Sequence, residues 1–378
     1  MSLLYLVAGE ASGDILGARL MQAIAARDPA WNFAGIGGER MQAAGLGPSL
    51  FPMRELSLMG LAEVLPRVRS ILRRLDETVT DIEARRPAAV VTIDAPGFTL
   101  RLAKRVRALG IPVIHYVAPQ VWAWRQGRAR KLAAKVDHLM CLLPFEPKFF
   151  APYGLDARFV GHPVLESGMD AGNAARFRAQ HGIDANATVL AVLPGSRGGE
   201  VTRHLPIFLE TLRRVARPGL VLAVPTLPAV AAQVRAAAWP VPAVFVAPED
   251  RADAFAASTA ALCKSGTATL EVALAGVPML VAYRVNPITA AIAKRLIKVR
   301  FASLVNLLAD RAIAPEFIQH DCTPDLLAPA LATLLDNPAA REAQRDGFRA
   351  SLAQLAGPGG VAPSQAAASC VLGWLKPA

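Results

Sequence analysis

The chain has 378 residues, of which 53% are hydrophobic, and its mean hydropathy is +0.34. This length predicts two domains, and no uninterrupted apolar stretch reaches the ~20 residues of a membrane-spanning helix. The excess of 41 basic over 30 acidic side chains, a net charge of +11, indicates an acidic partner. Composition alone leaves nucleic acid, anionic lipid and a phosphorylated substrate open.

Apolar runs typical of buried parallel strands alternate with stretches of helical periodicity, in two blocks. In the first block they are 3–9, 88–94, 111–117 and 138–143, and in the second 187–195, 220–225, 243–247, 260–266 and 278–283. This alternation predicts an α/β fold with two Rossmann-like, doubly wound domains that face each other across a cleft.

The domain boundaries follow from the gap between the two blocks. We place the first domain at residues 1–165 and the second at 174–345, with a linker near 163–173, where Pro, Gly and Asn cluster. The alanine-rich residues 346–378 are predicted to be helical and to cross back to the first domain.

The first strand runs into "AGEASGD" (8–14), which carries two acids inside a glycine turn. Ser12 and Asp14 are suited to capping the next helix, and for Asp14 we favour that structural role. Glu10 at the strand end is better explained by chemistry in a cleft. The later "GIGGER" (35–40) lacks the spacing of a dinucleotide-binding fingerprint.

Asp94 ends the second strong strand, in "TIDAPGFTLRLAKR" (92–105). Two roles stay open for it. Its carboxylate is placed to accept a proton from a bound hydroxyl, or to cap a helix that starts near Phe98.

The next segment, "HYVAPQVWAWRQGRARK" (115–131), combines a histidine, tryptophans and basic residues. His115 is either a structural or a catalytic histidine. Trp122 and Trp124, which follow Gln120, are predicted to form the wall of a cleft, although tryptophans beside arginines also occur where bases stack.

The second block ends two strands on glycine turns, at Gly195-Ser196-Arg197 and in "CKSGTATLEVALAGVPML" (263–280). Both turns are followed by a helix, whose N-terminus binds anions, and together they predict a nucleotide diphosphate site. We expect Arg197 at the diphosphate, the alternative being a surface pair with Glu200. The other predicted contacts are Glu200, Lys264, Ser265, Gly266, Thr267, Thr269 and Glu271, the last for a ribose diol.

Nearly the whole chain then resembles the lipid-A-disaccharide synthase family. The resemblance rests, in order, on "AGEASGD", "GIGGERM", "MGLAEVL", "YVAPQVWAWR", "LPFE", "FVGHP", "LPGSRGGE", "SGTATLEVALAGVPM" and "NLLADRAIAPEFIQ". It implies an inverting glycosyltransferase of the GT-B fold, whose first domain binds the acceptor and whose second binds the UDP-sugar. The implied acceptor-side residues are Ser12, His115, Gln120 and Trp124, and the last block adds Asn306 and Gln319 on the donor side.

The implied reaction joins UDP-2,3-diacylglucosamine to 2,3-diacylglucosamine 1-phosphate (lipid X), giving UDP and a β-1,6-linked disaccharide 1-phosphate for lipid A. One departure matters. The family usually has Pro-Asp-Phe where this chain has Pro96-Gly97-Phe98, and residues 303–307 read Ser-Leu-Val-Asn-Leu instead of the family's "SLPNL". If the missing aspartate is the family's catalytic carboxylate, then Asp94 or Glu10 must serve here.

We predict no cofactor and no metal, since the sequence contains no Asp-x-Asp pair of the metal-dependent kind. Two alternatives stay open, namely another UDP-sugar transferase or epimerase and a basic nucleic-acid-binding protein. Both are less favoured than the synthase, so we expect no nucleic-acid partner. The sequence does not distinguish a monomer from a homodimer.

We also expect an anionic membrane surface as a partner, with the protein in the cytoplasm and peripheral on the inner membrane. Residues 61–82 have an apolar stripe at helical spacing, flanked by Arg67, Arg69, Arg73 and Arg74, and 293–301 form a second basic stretch. An ordinary helix packed on its own domain explains part of that stripe equally well. The N-terminus lacks the basic segment of a signal peptide, and scattered cysteines suit a reducing compartment.

Overall fold

The computed structural model describes residues 2–56, 68–124, 127–286, 290 and 299–375, apart from the side chains of Val68 and Trp124. Two units form. One contains the residues up to Pro163 together with those from Leu355 onward, and the other is Val164–Gln354. The chain therefore passes into the second unit where the sequence predicted a linker. It returns later than residue 346, because the helix Pro338–Ala353 stays with the second unit.

The first unit is built on a parallel sheet of six strands in the order β2-β1-β3-β4-β5-β6. Its strands are β1 (Leu3–Ala8), β2 (Asn32–Ile36), β3 (Ala89–Ile93), β4 (Val113–Tyr116), β5 (His138–Cys141) and β6 (Asp156–Phe159). Alternate residues of β1 lie in two separate cores, Tyr5 and Val7 on one face and Leu4 and Leu6 on the other. A strand buried on both faces needs a continuous apolar sequence, which explains why β1 was recognisable.

Helices cover both faces of this sheet. They are α1 (Ala11–Ala25), α2 (Glu39–Met41), α3 (Val68–Arg85), α4 (Pro96–Arg107), α5 (Val121–Trp124), α6 (Arg128–Ala133) and α7 (Glu146–Phe150). The C-terminal helix, Pro363–Leu375, packs against α1. It places Ala367 and Val371 in the core that contains Leu4 and Leu6.

Helix α3 is the described part of the stripe predicted to meet a membrane. Its residues Leu75, Val79 and Ile82 are buried in the core of the first unit, so for them the ordinary packed-helix interpretation is confirmed. Arg74 makes hydrogen-bonded ion pairs with Glu55 at 2.8 Å and Glu77 at 2.7 Å. Arg74 is therefore already paired within its own unit, and its role at a lipid surface stays a prediction.

Residues 61–67 and 293–298 of the predicted docking surface lie outside the described residues. No described helix is both long and apolar enough to cross a membrane.

The second unit repeats the architecture, with a parallel sheet in the order β12-β11-β10-β7-β8-β9. Its strands are β7 (Thr188–Leu193), β8 (Leu220–Pro225), β9 (Ala243–Val246), β10 (Ala260–Lys264), β11 (Met279–Tyr283) and β12 (Glu316–Ile318). Its helices are α8 (Ala174–His181), α9 (Gly198–Val215), α10 (Ala231–Arg235), α11 (Arg251–Ala257), α12 (Ala268–Leu274), α13 (Leu304–Ala309), α14 (Pro324–Asp336) and α15 (Pro338–Ala353). The C-terminal helix of the first unit is then α16 (Pro363–Leu375).

Single-turn helices fill several of the connections. They are Gln42–Leu46, Met53–Glu55, Ala151–Tyr153, Pro163–Glu166, Met169–Ala171, Pro228–Val230, Pro248–Asp250 and Pro358–Gly360.

The nine strands expected from apolar runs are all present, and the predicted α/β class with two Rossmann-like sheets is confirmed. Three strands were missed, namely β2, β6 and β12, and each lies at the edge of its sheet. These three strands pair on one side only and are partly exposed, as in the "DARF" of β6, and none of them carries an apolar run as long as those of the central strands. The fourth edge strand, β9, is apolar and was predicted.

Candidate active site

Two turns meet at the point where the second sheet reverses its strand order. β7 and β10 are neighbours in the sheet, pairing from Ala260↔Leu190 to Cys263↔Leu193, although β8 and β9 lie between them in sequence. At such a point the loops leave the carboxyl ends of two adjacent strands in opposite directions and open a crevice. Gly195–Arg197 follows β7, and Ser265–Thr267 follows β10.

The turn after β7 delivers the N-terminus of α9, a helix of 18 residues. Gly195 has φ +141°, and a side chain there would bring its Cβ to 2.7 Å from the Cβ of Glu200. Only glycine suits this position. Arg197 is the N-cap residue of α9, and its side chain is 62% exposed. A helix N-terminus beside an exposed guanidinium is suited to hold a phosphate group.

Lys264, the last residue of β10, is joined to the first turn of α9 by Glu200. The lysine Nζ lies 2.9 Å from Glu200 Oε1, and the Ser196 backbone N–H donates to Glu200 Oε2 at 3.1 Å. Burial alone would raise the pKa of Glu200, but Lys264 and the Ser196 N–H outweigh it and lower that pKa. Glu200 is therefore a carboxylate that fixes the direction of the lysine.

Glu271 lies one turn into α12, and its Oε2 is 2.9 Å from Arg251 Nη1. Burial raises the pKa of Glu271, and the attraction of Arg251 offsets only part of that rise. Arg251 follows β9, in a segment where the sequence analysis had singled out nothing. Its place at the start of the helix that follows β9, on the carboxyl side of that strand, is the signal that would have pointed to it.

A cavity of about 340 Å³ opens between these elements. Its lining includes Gly195, Ser196, Arg197, Glu200, Lys264, Gly266, Thr267 and Glu271 from the predicted set, together with Pro225, Thr226, Leu227, Pro248 and Arg251. A second cavity of about 340 Å³ lies along α9, next to Leu205 and Pro206, away from both turns and without a cluster of charges.

Four predicted donor-side residues have structural partners instead. Ser265 donates its hydroxyl to the Ala302 carbonyl at 2.9 Å, and Thr269, fully buried, donates to the Gly266 carbonyl at 2.7 Å. The Gln319 side-chain oxygen accepts the Val285 backbone N–H at 3.2 Å.

Asn306 is fully buried and fully hydrogen-bonded. Its Nδ2 donates to the Ala314 carbonyl and to Glu316 Oε1, each at 2.7 Å, while its Oδ1 accepts the N–H groups of Ile313 and Ala314. An amide with two donors and two acceptor positions has none left over for a ligand. Asn306 holds the loop before β12.

The first sheet has its own reversal point, between β1 and β3, which pair up to Ala8↔Ile93. Glu10 follows β1 and Asp94 follows β3, so both candidate carboxylates emerge at the same crevice. A Cβ on Gly9 would lie only 2.6 Å from the Cβ of Ala95, which shows how closely the two turns pack.

Asp94 and Ala95 have φ of +47° and +45°, two successive non-glycine residues in the left-handed region. Such strain is concentrated at functional sites. The helix α4 has Ala95, not Asp94, as its N-cap residue and starts at Pro96, so the capping alternative for Asp94 is wrong. Burial raises the pKa of Asp94, and the Ala95 N–H lowers it less. A Cβ on Gly97 would meet nothing within 4 Å.

Asp14 is a cap, although of α2 rather than of the helix in which it lies. Its carboxylate accepts the backbone N–H groups of Gly38 at 2.7 Å and of Arg40 and Met41 at 3.0 Å. A Cβ on Gly38 would lie 2.5 Å from Asp14 Oδ2, so "GIGGER" owes this glycine to the close approach. Ser12 is an exposed residue in the first turn of α1, where Glu10 is the N-cap residue.

The segment after β4 divides into buried and exposed residues. His115 is fully buried; its Nδ1 lies 2.8 Å from Thr92 Oγ1, and burial lowers its pKa to about 4. Trp122 Nε1 donates to Glu146 Oε1 at 2.9 Å. The same carboxylate also accepts the backbone N–H groups of Leu142 and Leu143. Gln120 is exposed, and the Trp124 side chain lies outside the described residues.

Glu146 is the residue that the sequence analysis missed on this side. It is 2% exposed, and burial raises its pKa to about 7 against the effect of its three donors. It anchors the "VWAW" helix to the turn "LPFE", two motifs that the sequence had shown only as separate blocks. Among the described residues, no group of three His, Cys, Asp or Glu side chains is placed to hold a metal ion.

The family model described as lipid-A-disaccharide synthetase matches residues 4–367. The chain belongs to the lipid-A-disaccharide synthase family. A lipid-A-disaccharide synthase of Rhodospirillum centenum is 54% identical over 378 residues, covering 98% of this chain and 94% of that protein. As a member of the lipid-A-disaccharide synthase family, the protein is an enzyme, a glycosyltransferase.

Solved structures agree on the fold. The spinosyn rhamnosyltransferase SpnG has a TM-score of 0.62 at 14% identity and covers 100% of each chain. A UDP-N-acetylglucosamine 2-epimerase has a TM-score of 0.61 at 14% identity, covering 98% of this chain and 94% of its own. The protein, a member of the synthase family, therefore has the GT-B fold.

Proposed function

We propose that the protein is an inverting transferase that joins UDP-2,3-diacylglucosamine to 2,3-diacylglucosamine 1-phosphate. The products are UDP and the β-1,6-linked lipid A disaccharide 1-phosphate. Family membership supports the reaction class. The observation that carries the donor assignment is the pair of turns at the β7–β10 reversal, which surround a cavity with Arg197 and Lys264.

The donor side supplies charge to the leaving group. In an inverting transfer the acceptor 6-hydroxyl attacks the anomeric carbon as the bond from that carbon to the UDP oxygen breaks. Negative charge then grows on the β-phosphate. The Arg197 guanidinium, the Lys264 ammonium and the N–H groups that begin α9 and α12 are the donors that would stabilise it.

The acceptor side supplies a base. We assign that role to Asp94, because its raised pKa makes it a better proton acceptor at neutral pH than an ordinary aspartate. Glu10 is the alternative base from the same crevice. If the aspartate that the family usually has in place of Gly97 is its catalytic carboxylate, one of these two carboxylates takes the proton here.

The leaving group has cationic partners from the chain itself, so we propose that the reaction needs no metal ion. Activity should survive dialysis against EDTA. Loss of turnover in EDTA, with recovery on adding magnesium, would contradict this proposal.

The experiment that tests the function uses the purified protein with UDP-2,3-diacylglucosamine, alone and with lipid X. We expect UDP release and a disaccharide 1-phosphate only when both substrates are present. The anomeric configuration of the new bond is then read by NMR, and a β-linkage from the α-linked donor supports inversion. UDP release or donor isomerisation without acceptor would favour an epimerase.

We also propose peripheral binding to an anionic membrane, since acylated substrates stay in lipid. On α3 the supporting residues are Arg69, Leu72 and Arg73, which are exposed, with Leu72 at 45%. Each basic side chain near an anionic surface contributes about 1 kcal/mol, so an arginine pair flanking an apolar residue favours binding.

A vesicle sedimentation assay tests this surface. Changing Arg69 and Arg73 to glutamate should release the protein from vesicles that contain acidic lipid, as should high salt. The matched control changes Arg213 and Arg235, two exposed arginines of the second unit, to glutamate, and should leave vesicle binding unchanged. Sedimentation of the Arg69/Arg73 variant at the wild-type level would show that α3 is not the docking surface.

A further inference from the structure

His204 lies one turn after Glu200 on α9, with a fully buried ring. Its Nδ1 is 2.8 Å from the backbone carbonyl oxygen of Glu200, and the backbone N–H of Arg284 donates to its Nε2 at 2.9 Å. A carbonyl only accepts and an amide N–H only donates. The proton must therefore be on Nδ1 and the lone pair on Nε2, which defines a neutral ring in one tautomer.

The ring connects two elements that flank Lys264. Glu200 belongs to the first turn of α9, and Arg284 directly follows β11. The His204 ring also stacks on Tyr283, with ring centres 5.8 Å apart and planes at 20°, while Lys264 Nζ lies 5.4 Å from the Tyr283 ring centre. His204, Glu200, Lys264 and Tyr283 thus form a continuous set of contacts beside the β10 turn.

We propose that His204 is a positioning residue, whose neutral ring ties the first turn of α9 to the end of β11 and so fixes the Lys264–Glu200 pair for a nucleoside diphosphate. The inference rests on the proposed function of that turn. His204 does not line the cavity and acts only through its neighbours.

Protonation would break the tie. A charged imidazole carries a proton on both nitrogens, so its Nε2–H would point at the Arg284 N–H. Burial lowers the pKa of His204, and Lys264 and Arg203 act in the same direction, while Glu200 and its carbonyl act against them. The bridge is therefore intact at neutral pH and is lost as pH falls below the ordinary histidine range.

Two substitutions separate this role from simple packing. His204→Gln keeps an acceptor for the Arg284 N–H and does not titrate, whereas His204→Leu keeps the bulk and removes both hydrogen bonds. His181→Gln, a histidine of α8 in the same unit, is the control. UDP binding is measured by calorimetry at about pH 8 and about pH 4.5, the lower value lying well below the ordinary histidine pKa because burial lowers the pKa of His204.

At the higher pH we expect His204→Leu to weaken UDP binding about tenfold, the effect of losing about one good hydrogen bond, and His204→Gln no more than about threefold. On acidification the wild-type protein should lose more UDP affinity than His204→Gln. Because protonation of the UDP phosphate affects both proteins equally, the difference between them reports on His204. Selective ¹⁵N-histidine NMR gives an independent readout. The signal that His204→Gln removes, among 6 histidines, should show the Nδ1–H tautomer.

Wild-type UDP affinity in His204→Leu, or an Nε2–H tautomer for the assigned signal, would overturn the inference. Absence of UDP binding by the wild-type protein would instead overturn the proposed function on which it rests.

Discussion

Arg197→Ala distinguishes a ligand-binding arginine from a surface ion pair. The guanidinium lies 3.9 Å from Glu200 and is 62% exposed, the geometry of a loose i,i+3 surface bridge. Such a pair contributes about 0–0.5 kcal/mol to the free energy of unfolding. In a unit of this size that amount shifts the thermal midpoint by no more than about 2 °C. The variant should therefore fold and melt like wild type.

Activity should respond quite differently. If Arg197 donates to the diphosphate as the bond to the sugar breaks, its removal eliminates a charge-assisted contact that strengthens in the transition state. Losing one such preorganised donor lowers kcat about 10²–10³-fold. UDP affinity should fall less, by about 10-fold, because the ground-state contact is weaker. The expected loss of turnover is thus much larger than the expected loss of stability, and the difference exceeds the error of both measurements.

The assay combines a thermal melt with steady-state UDP release. Arg213→Ala is the matched control, because Arg213 is also an exposed arginine of α9 in an i,i+3 ion pair, with Glu210 at 3.0 Å. It should leave both measurements unchanged. Near-wild-type turnover in Arg197→Ala would show that Arg197 only forms a surface ion pair. An equal loss of turnover in Arg213→Ala would mean that the effect comes from the helix as a whole.

Three further variants test the first unit. Asp94→Asn keeps the side chain's shape but removes its basicity, so transfer should fall by at least about 10²-fold while UDP binding is retained; wild-type turnover would move the role to Glu10. Asp14→Ala leaves three N–H groups without their acceptor and should cost about 2–4 kcal/mol, seen as a thermal midpoint lowered by about 5–10 °C. Glu146 has its pKa raised to about 7, so the folded state retains a proton that the unfolded chain has lost. Its contribution to stability therefore declines as pH rises from about 4.5 to about 7, by up to about 3 kcal/mol, and the difference between wild type and Glu146→Gln in a pH series of urea melts should show that decline.

Much of the fold could be predicted because its central strands are buried on both faces. Such strands require uninterrupted apolar runs, and each run ended where polar or glycine residues began, as at Asp94 and Gly195. The resemblance of ordered motifs extended this to the family and the reaction class. The glycine turns could be located from the sequence as well, since Gly195 occupies a backbone conformation that other residues avoid.

What the sequence left open is which side chains at a strand end turn toward the crevice. Thr269 and Asn306 belong to the right motifs, yet the structure commits their polar atoms to other groups of the protein. Arg251, the first residue of α11, lines the cavity although its segment carried no motif.

Strand order also comes from tertiary structure alone. Chain order separates β1 from β3 and β7 from β10. Only the pairing of those strands in the sheet puts Glu10 and Asp94 at one crevice and Arg197 and Lys264 in the lining of one cavity. The same holds for Glu146 with Trp122 and His204 with Arg284, contacts over 24 and 80 residues. A local sequence pattern indicates whether a segment is buried and which backbone conformation it adopts. Which distant segment satisfies its hydrogen bonds is decided only when the whole sheet forms.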